Sequence, residues 1–122
     1  MGDPFMHPAI FSAATPISLE GEISGKGIST SLTQWIDGLQ QWARTNGYLV
    51  GHIKVFIEGE QNLWLSATGG PVNLRPSTQW MEWAAKSFTL YMTAIVFGID
   101  DRSLRSEVLN RFELWRQKLE KC

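Results

Sequence analysis

Two histidines and one cysteine, His7, His52 and Cys122, bound the chemistry open to this chain of 122 residues. His52 lies in "GHIKVFIEGEQNLWLSATGG", residues 51–70, beside Lys54 on an alternating apolar stretch. An imidazole titrates near neutral pH and serves as a base or a metal ligand. A metal centre needs three or four donors. Here His7 is the only other imidazole, and Glu58 stands three outward steps along the same strand. Neither a metal site nor a catalytic residue is assigned, and no cofactor is implied. A lone cysteine at position 122 forms neither an internal disulfide nor a cysteine zinc site. No G-x-S-x-G run and no Cys–His pairing supplies a nucleophile with its base. An enzyme assembled from residues far apart in the chain stays open as an alternative.

The run "GEISGKGIST", residues 21–30, approaches a phosphate-binding loop. A P-loop needs four residues between its first glycine and the Gly-Lys pair, then Ser or Thr. Gly21 and Gly25 are separated by three, and Lys26 is followed by Gly27, so the spacing fails. What survives is an anion loop at Gly25, Lys26 and Gly27, held against the N–H groups of a following helix. The competing reading is a flexible strand-to-helix connection.

Composition narrows the partners. The chain is 43% hydrophobic and 19% charged, with a net charge of −1 and six tryptophans. That is a globular balance, long enough for one domain. It lacks the clustered Lys and Arg of a nucleic-acid surface. The uncharged run Ser87–Ile99 is too short for a bilayer, which takes about 20 residues. With no signal-peptide pattern in residues 1–15 and a single cysteine, the expectation is a cytoplasmic protein. "MGDPFM" reads as partly vector-derived over residues 1–5, within an N-terminal arm over 1–15; a single α+β domain follows over 16–122.

The elements that would position these residues follow from periodicity. Ile17, Leu19 and Ile23 alternate with Ser18, Glu20 and Glu22, which predicts a strand over 16–24. Leu32, Trp35, Ile36, Leu39, Trp42 and Ala43 recur at three and four, a helix over about 30–46 capped by Ser29 or Thr30. Residues 52–58 and 63–68 alternate as two strands. Their register follows from parity, because residues facing each other must share a face. A three-residue turn, Gly59-Glu60-Gln61, pairs Glu58 with Asn62, Ile57 with Leu63 and Phe56 with Trp64, and every pair matches in character. Trp80, Trp83 and Ala84 share a helical face, predicting a short helix over 78–86. Residues 88–99 read as a strand, and Leu104, Val108, Phe112, Trp115 and Leu119 as the stripe of a last helix over 101–120. The order predicts a ferredoxin-like (βαββαβ) four-stranded antiparallel sheet with an additional C-terminal helix.

Two of these segments carry a family likeness. "HIKVFIEGE" with its following strand, and "AIVFGIDDRSLRSEVLNRF", resemble the C-terminal domain of CobW-like GTPases over roughly residues 30–112. The resemblance implies a ferredoxin-like body and an accessory or regulatory role. The family's GTPase half, its Walker motifs and its cysteine-rich metal motif have no counterpart here, so no GTPase or metal-transfer activity is implied.

The outward sheet face is the strongest signal. It would carry His52, Lys54, Phe56, Trp64, Ser66 and Tyr91. Three aromatics exceed what an indifferent wet face needs. The expectation is a non-enzymatic binding or assembly module, a dimer formed through this aromatic sheet face or through the Trp-bearing helices, or the docking site of a partner protein, with no nucleic acid and no membrane. The alternative is a small-molecule-binding domain or enzyme, taking a small apolar ligand between the sheet and the last helix. If that helix covers the face within one chain, Trp115 or Phe112 should touch Phe56 or Trp64.

Overall fold

Alternating apolar positions build five strands, and two apolar stripes at helical spacing build the helices laid over them. The computed structural model describes residues 7–120; the segment read as vector-derived and Cys122 lie outside them. In chain order the elements are β1 (Ala9–Ser24), α1 (Gly25–Thr45), β2 (Leu49–Glu58), β3 (Asn62–Ala67), β4 (Asn73–Pro76), β5 (Ala84–Phe97) and α2 (Asp101–Glu120). A 3₁₀ turn, Trp80–Glu82, precedes β5. The sheet order is β1-β5-β2-β3-β4, with every neighbouring pair antiparallel.

This α+β architecture corrects the ferredoxin-like expectation of four strands and a second crossover helix. The segment 78–86 is not a helix. Trp80 is fully buried, and its indole N–H donates to the Gly25 carbonyl at 2.9 Å. The Gly25 N–H donates to the Trp83 carbonyl at 2.8 Å. The two tryptophans thus plug the start of α1, and Trp83 turns the chain extended (ψ 143°). Ala84 and Ala85 then pair with Ser24 and Ile23 of β1, so β5 takes the residues a helix would have used. The fifth strand is β4, an edge of four exposed residues after the Gly69-Gly70 turn. One part of the expected topology survives: β1, α1 and β2 form a crossover unit with another strand, β5, between its two strands.

β1 begins at Ala9, inside the segment read as an arm, and α1 begins five residues ahead of the expected start. Its cap is Ser24, whose hydroxyl accepts the Gly27 N–H at 3.0 Å, and neither Ser29 nor Thr30. The hairpin register is the one parity predicts, with Phe56 against Trp64 and Glu58 against Asn62. A bulge between Val50 and His52 keeps both Val50 and Ile53 inward despite their odd spacing.

Both helices lie on one side of the sheet. Leu32, Ile36 and Leu39 of α1 and Leu104, Val108 and Leu119 of α2 share a single core with Ile53, Val55, Leu63 and Leu90 of the strands. Among the described residues Gln40 is the one buried amide, 1% exposed. Its Oε1 accepts the Gly69 N–H at 2.7 Å and its Nε2 donates to the Gly70 carbonyl at 2.9 Å, latching the β3–β4 loop to α1.

Asp100 starts α2. Its carboxylate accepts the Ser103 backbone N–H at 2.6 Å and the Ser103 hydroxyl at 3.1 Å. These bonds, led by the backbone one, hold its carboxyl below the usual carboxylate range. A folded-state value below the unfolded one means stabilisation that is complete above the unfolded value and is lost as pH falls through the folded value. Asp100→Ala is therefore expected to be less stable than the parent at pH 7, with the gap narrowing on acidification. Urea midpoints at pH 7 and at the acid end of the folded range check this; a gap independent of pH would remove the cap from the account.

Candidate functional site

The side of the sheet away from the helices is laid out in rungs, because facing residues in five aligned strands share one transverse line. One rung runs Arg75 on β4, Trp64 on β3, Phe56 on β2, Tyr91 on β5 and Ala14 on β1. With strands about 4.8 Å apart, the rung spans about 19 Å. The Phe56 and Trp64 rings stack at 4.8 Å between centroids, and Phe56 and Tyr91 at 5.8 Å, both tilted by 27°. Phe56 is half-buried beneath its neighbours, while Trp64 remains 47% and Tyr91 40% exposed. The three rings form one continuous apolar ledge.

The polar groups lie on either side of this ledge. Toward one end of the strands, the next rung is Asn73, Ser66, Lys54, Thr93 and Ser12, with the Ser12 and Thr93 hydroxyls 3.1 Å apart. Toward the other end, Glu58 stands opposite Asn62 and Thr89. The Tyr91 hydroxyl donates to Glu58 Oε1 at 3.2 Å. The nearby Glu58 charge, then that hydrogen bond, hold the Tyr91 phenol above its ordinary range. The face is thus divided along the strands, basic at Lys54 and acidic at Glu58.

Each residue expected on this face is there: Lys54, Phe56, Trp64, Ser66 and Tyr91 on these rungs, and His52 half-buried opposite Ile95 beyond the Lys54 rung. α2 does not cover it. Trp115 turns instead toward α1, donating its indole N–H to the Ser31 hydroxyl at 3.0 Å, and Phe112 packs beside it at 5.7 Å. Arg75 is the residue that sequence reading missed. The signal was thin, a four-residue strand ending in proline.

The glycine loop is engaged within the chain. The Gly25 N–H goes to Trp83, the Gly27 N–H to Ser24, and Lys26 is exposed beside them. Among the described residues no three His, Cys, Asp or Glu side chains gather as metal ligands, and no helix is long and apolar enough to cross a membrane.

A second concavity, about 290 Å³, lies between α1 and α2, lined by Ser31, Trp35, Gly38, Arg111 and Leu114 among others. Arg111 holds Glu107 at 2.6 Å beside it. The Trp35 indole N–H is buried without an acceptor. No family model, no curated protein and no solved structure matches this chain.

Proposed function

We propose that this chain is a non-enzymatic binding and assembly module that works through the open face of its sheet and self-associates there. The observation that carries the reading is the Trp64–Phe56–Tyr91 ledge, which both helices leave uncovered. Covering the exposed half of a Trp removes on the order of 100 Å² and gains about 2–3 kcal/mol. A cross-strand aromatic pair alone is worth about 0.2–1 kcal/mol, so local pairing is the smaller reason for these rings. The resemblance to the C-terminal domain of CobW-like GTPases implies an accessory or regulatory role, but the ferredoxin-like body it also implied is not the fold of this chain. A single cysteine fits a reducing compartment, and we place the module in the cytoplasm.

Trp64→Asp tests the reading. The position is exposed, so the fold is expected to persist by circular dichroism. By light scattering, the parent is expected at about twice the 13.8 kDa chain mass and the variant at half the parent's mass. A parent that is monomeric at every concentration would defeat the proposal.

The groove between α1 and α2, lined by the Trp35, Leu114 and Trp115 side chains beside Arg111, supports a second reading, a small-molecule-binding domain. A ligand retained by the purified chain in native mass spectrometry would favour it.

A further inference from the structure

The charges on the open face are placed so as to select one way of covering it. Lys54 and Glu58 stand on the same strand, one outward step of about 6.8 Å to either side of Phe56. We infer that the occupant of the face is a second copy of the chain, docked about a two-fold axis that runs along the Arg75–Trp64–Phe56–Tyr91 rung. This rests on the reading of the face as a binding surface.

Two faces meeting in an isologous dimer share a two-fold axis lying in the plane between them. An axis along the strands keeps position along β2 unchanged. Centred over β2, the middle strand, it sets Lys54 over the partner's Lys54 and Glu58 over the partner's Glu58, two like-charge contacts. An axis along the aromatic rung reverses position along β2. It sets Lys54 over the partner's Glu58 and Glu58 over the partner's Lys54, so each dimer has two opposite-charge contacts around a stacked aromatic centre. The strands of the two sheets then run nearly aligned, the common geometry for sheets packed face to face. The same axis brings the two Arg75 side chains to one margin. There solvent screens their repulsion, and each guanidinium reaches the partner's Trp64 ring.

The area is adequate. The outward positions, two on β4, three on β3, four on β2 and five each on β5 and β1, at roughly 33 Å² apiece, give a projected face on the order of 600 Å². The relief of the rings raises the accessible area toward the roughly 800 Å² that each partner of a standard interface contributes. Edge-to-edge pairing through β1 or β4 is the other route to a dimer, and this chain obstructs both: β4 is four residues long and ends in Pro76, which offers no donor, and β1 is blocked at three places. The Ile10 N–H is taken by Asp101 Oδ1 at 2.9 Å, Pro16 offers no donor, and the strand's pairing shifts register between Ser18 and Ile23.

The test is a charge exchange on the full chain, followed by sedimentation equilibrium. Lys54→Glu leaves two acids facing two acids, and Glu58→Lys two lysines facing two lysines. Each alone is expected to weaken the dimer at least about tenfold. The double variant Lys54→Glu/Glu58→Lys restores both contacts and is expected to return to within a few-fold of the parent. An equimolar mixture of the two single variants is expected to form a heterodimer more tightly than either variant forms a homodimer, because each contact then joins opposite charges across the interface. Far-ultraviolet circular dichroism of each variant confirms that it is folded. Single variants without effect, or a mixture no tighter than its components, would overturn the axis. If Trp64→Asp still dissociated the dimer in that case, the face would stand as the contact surface and only its geometry would fall. A monomeric parent overturns both.

Discussion

Trp80→Ala is expected to lower the free energy of unfolding by about 3–5 kcal/mol, the range for deleting a buried Trp side chain. Trp80 is fully buried, its ring lies 5.2 Å from that of Trp83, and its N–H satisfies the Gly25 carbonyl at the start of α1. The truncation empties a core position and orphans that carbonyl together. Against a typical domain stability of about 5–15 kcal/mol, the variant sits close to its unfolding threshold. Trp80→Phe separates the two contributions. It keeps most of the volume and loses the donor, for an expected cost of about 1–3 kcal/mol. Gly25→Ala attacks the same junction from the other side, because a Cβ there would lie 2.0 Å from the Trp80 carbonyl oxygen. That atom is backbone, so trimming the Trp80 ring does not relieve the clash, and overpacking of this kind costs about 1–3 kcal/mol. Urea unfolding followed by circular dichroism reads all three. A loss below about 1 kcal/mol for Trp80→Ala would show that the tryptophan plug does not hold the fold.

Gln40→Leu is expected to cost about 2–3 kcal/mol, although the two side chains are close in size. The leucine leaves the Gly69 N–H and the Gly70 carbonyl without their partners, and each orphaned group costs about 1–3 kcal/mol when it stays dry. Partial rehydration of the loop sets the lower end. The loss should be local as well as global, with faster hydrogen exchange across β3 and β4 than across β2 and β5. Gln40→Glu adds a sign. A carboxylate buried there opposes the Gly70 carbonyl, and protonation restores a donor toward it. That variant is expected to gain stability as pH falls, opposite in direction to the Asp100 effect. An unchanged unfolding midpoint for Gln40→Leu would show that the latch carries no weight.

What could be read in advance was whatever period and parity determine locally. The register of Phe56 against Trp64 needed only alternation on two short strands and a turn of the right length. The α2 stripe from Leu104 to Leu119 needed only its spacing at three and four, and its bounds, 101–120, are those expected. The outward set on β2, β3 and β5 followed from the same parity. The failures lie where distant residues decide. Trp80 and Trp83, three apart, suit a helix as well as a plug; Gly25, more than fifty residues earlier, makes them a plug. Ala9, Phe11 and Ala13 alternate, but small side chains beside prolines give a faint strand signal until β5 supplies a partner. Gln40 sits on the apolar side of α1 as one polar letter in a helical stripe, and nothing in its neighbours announces a loop thirty positions away.

The position of β5 has a consequence for how the molecule is made. It follows the other four strands of the sheet in the chain, yet it lies second in the sheet, between β1 and β2. On an emerging chain, β2, β3 and β4 pair with their sequence neighbours as a meander. β1 and β2 have no contact to make until β5 arrives between them, and their inner edges wait unpaired. Closing the sheet then joins residues as far apart as Ala9 and Val96 in one late step. Such long-range closure is the slow kind, and the open edges it leaves are the ones other chains can occupy. Misassembly is therefore expected from chains in which β5 has not yet entered the sheet.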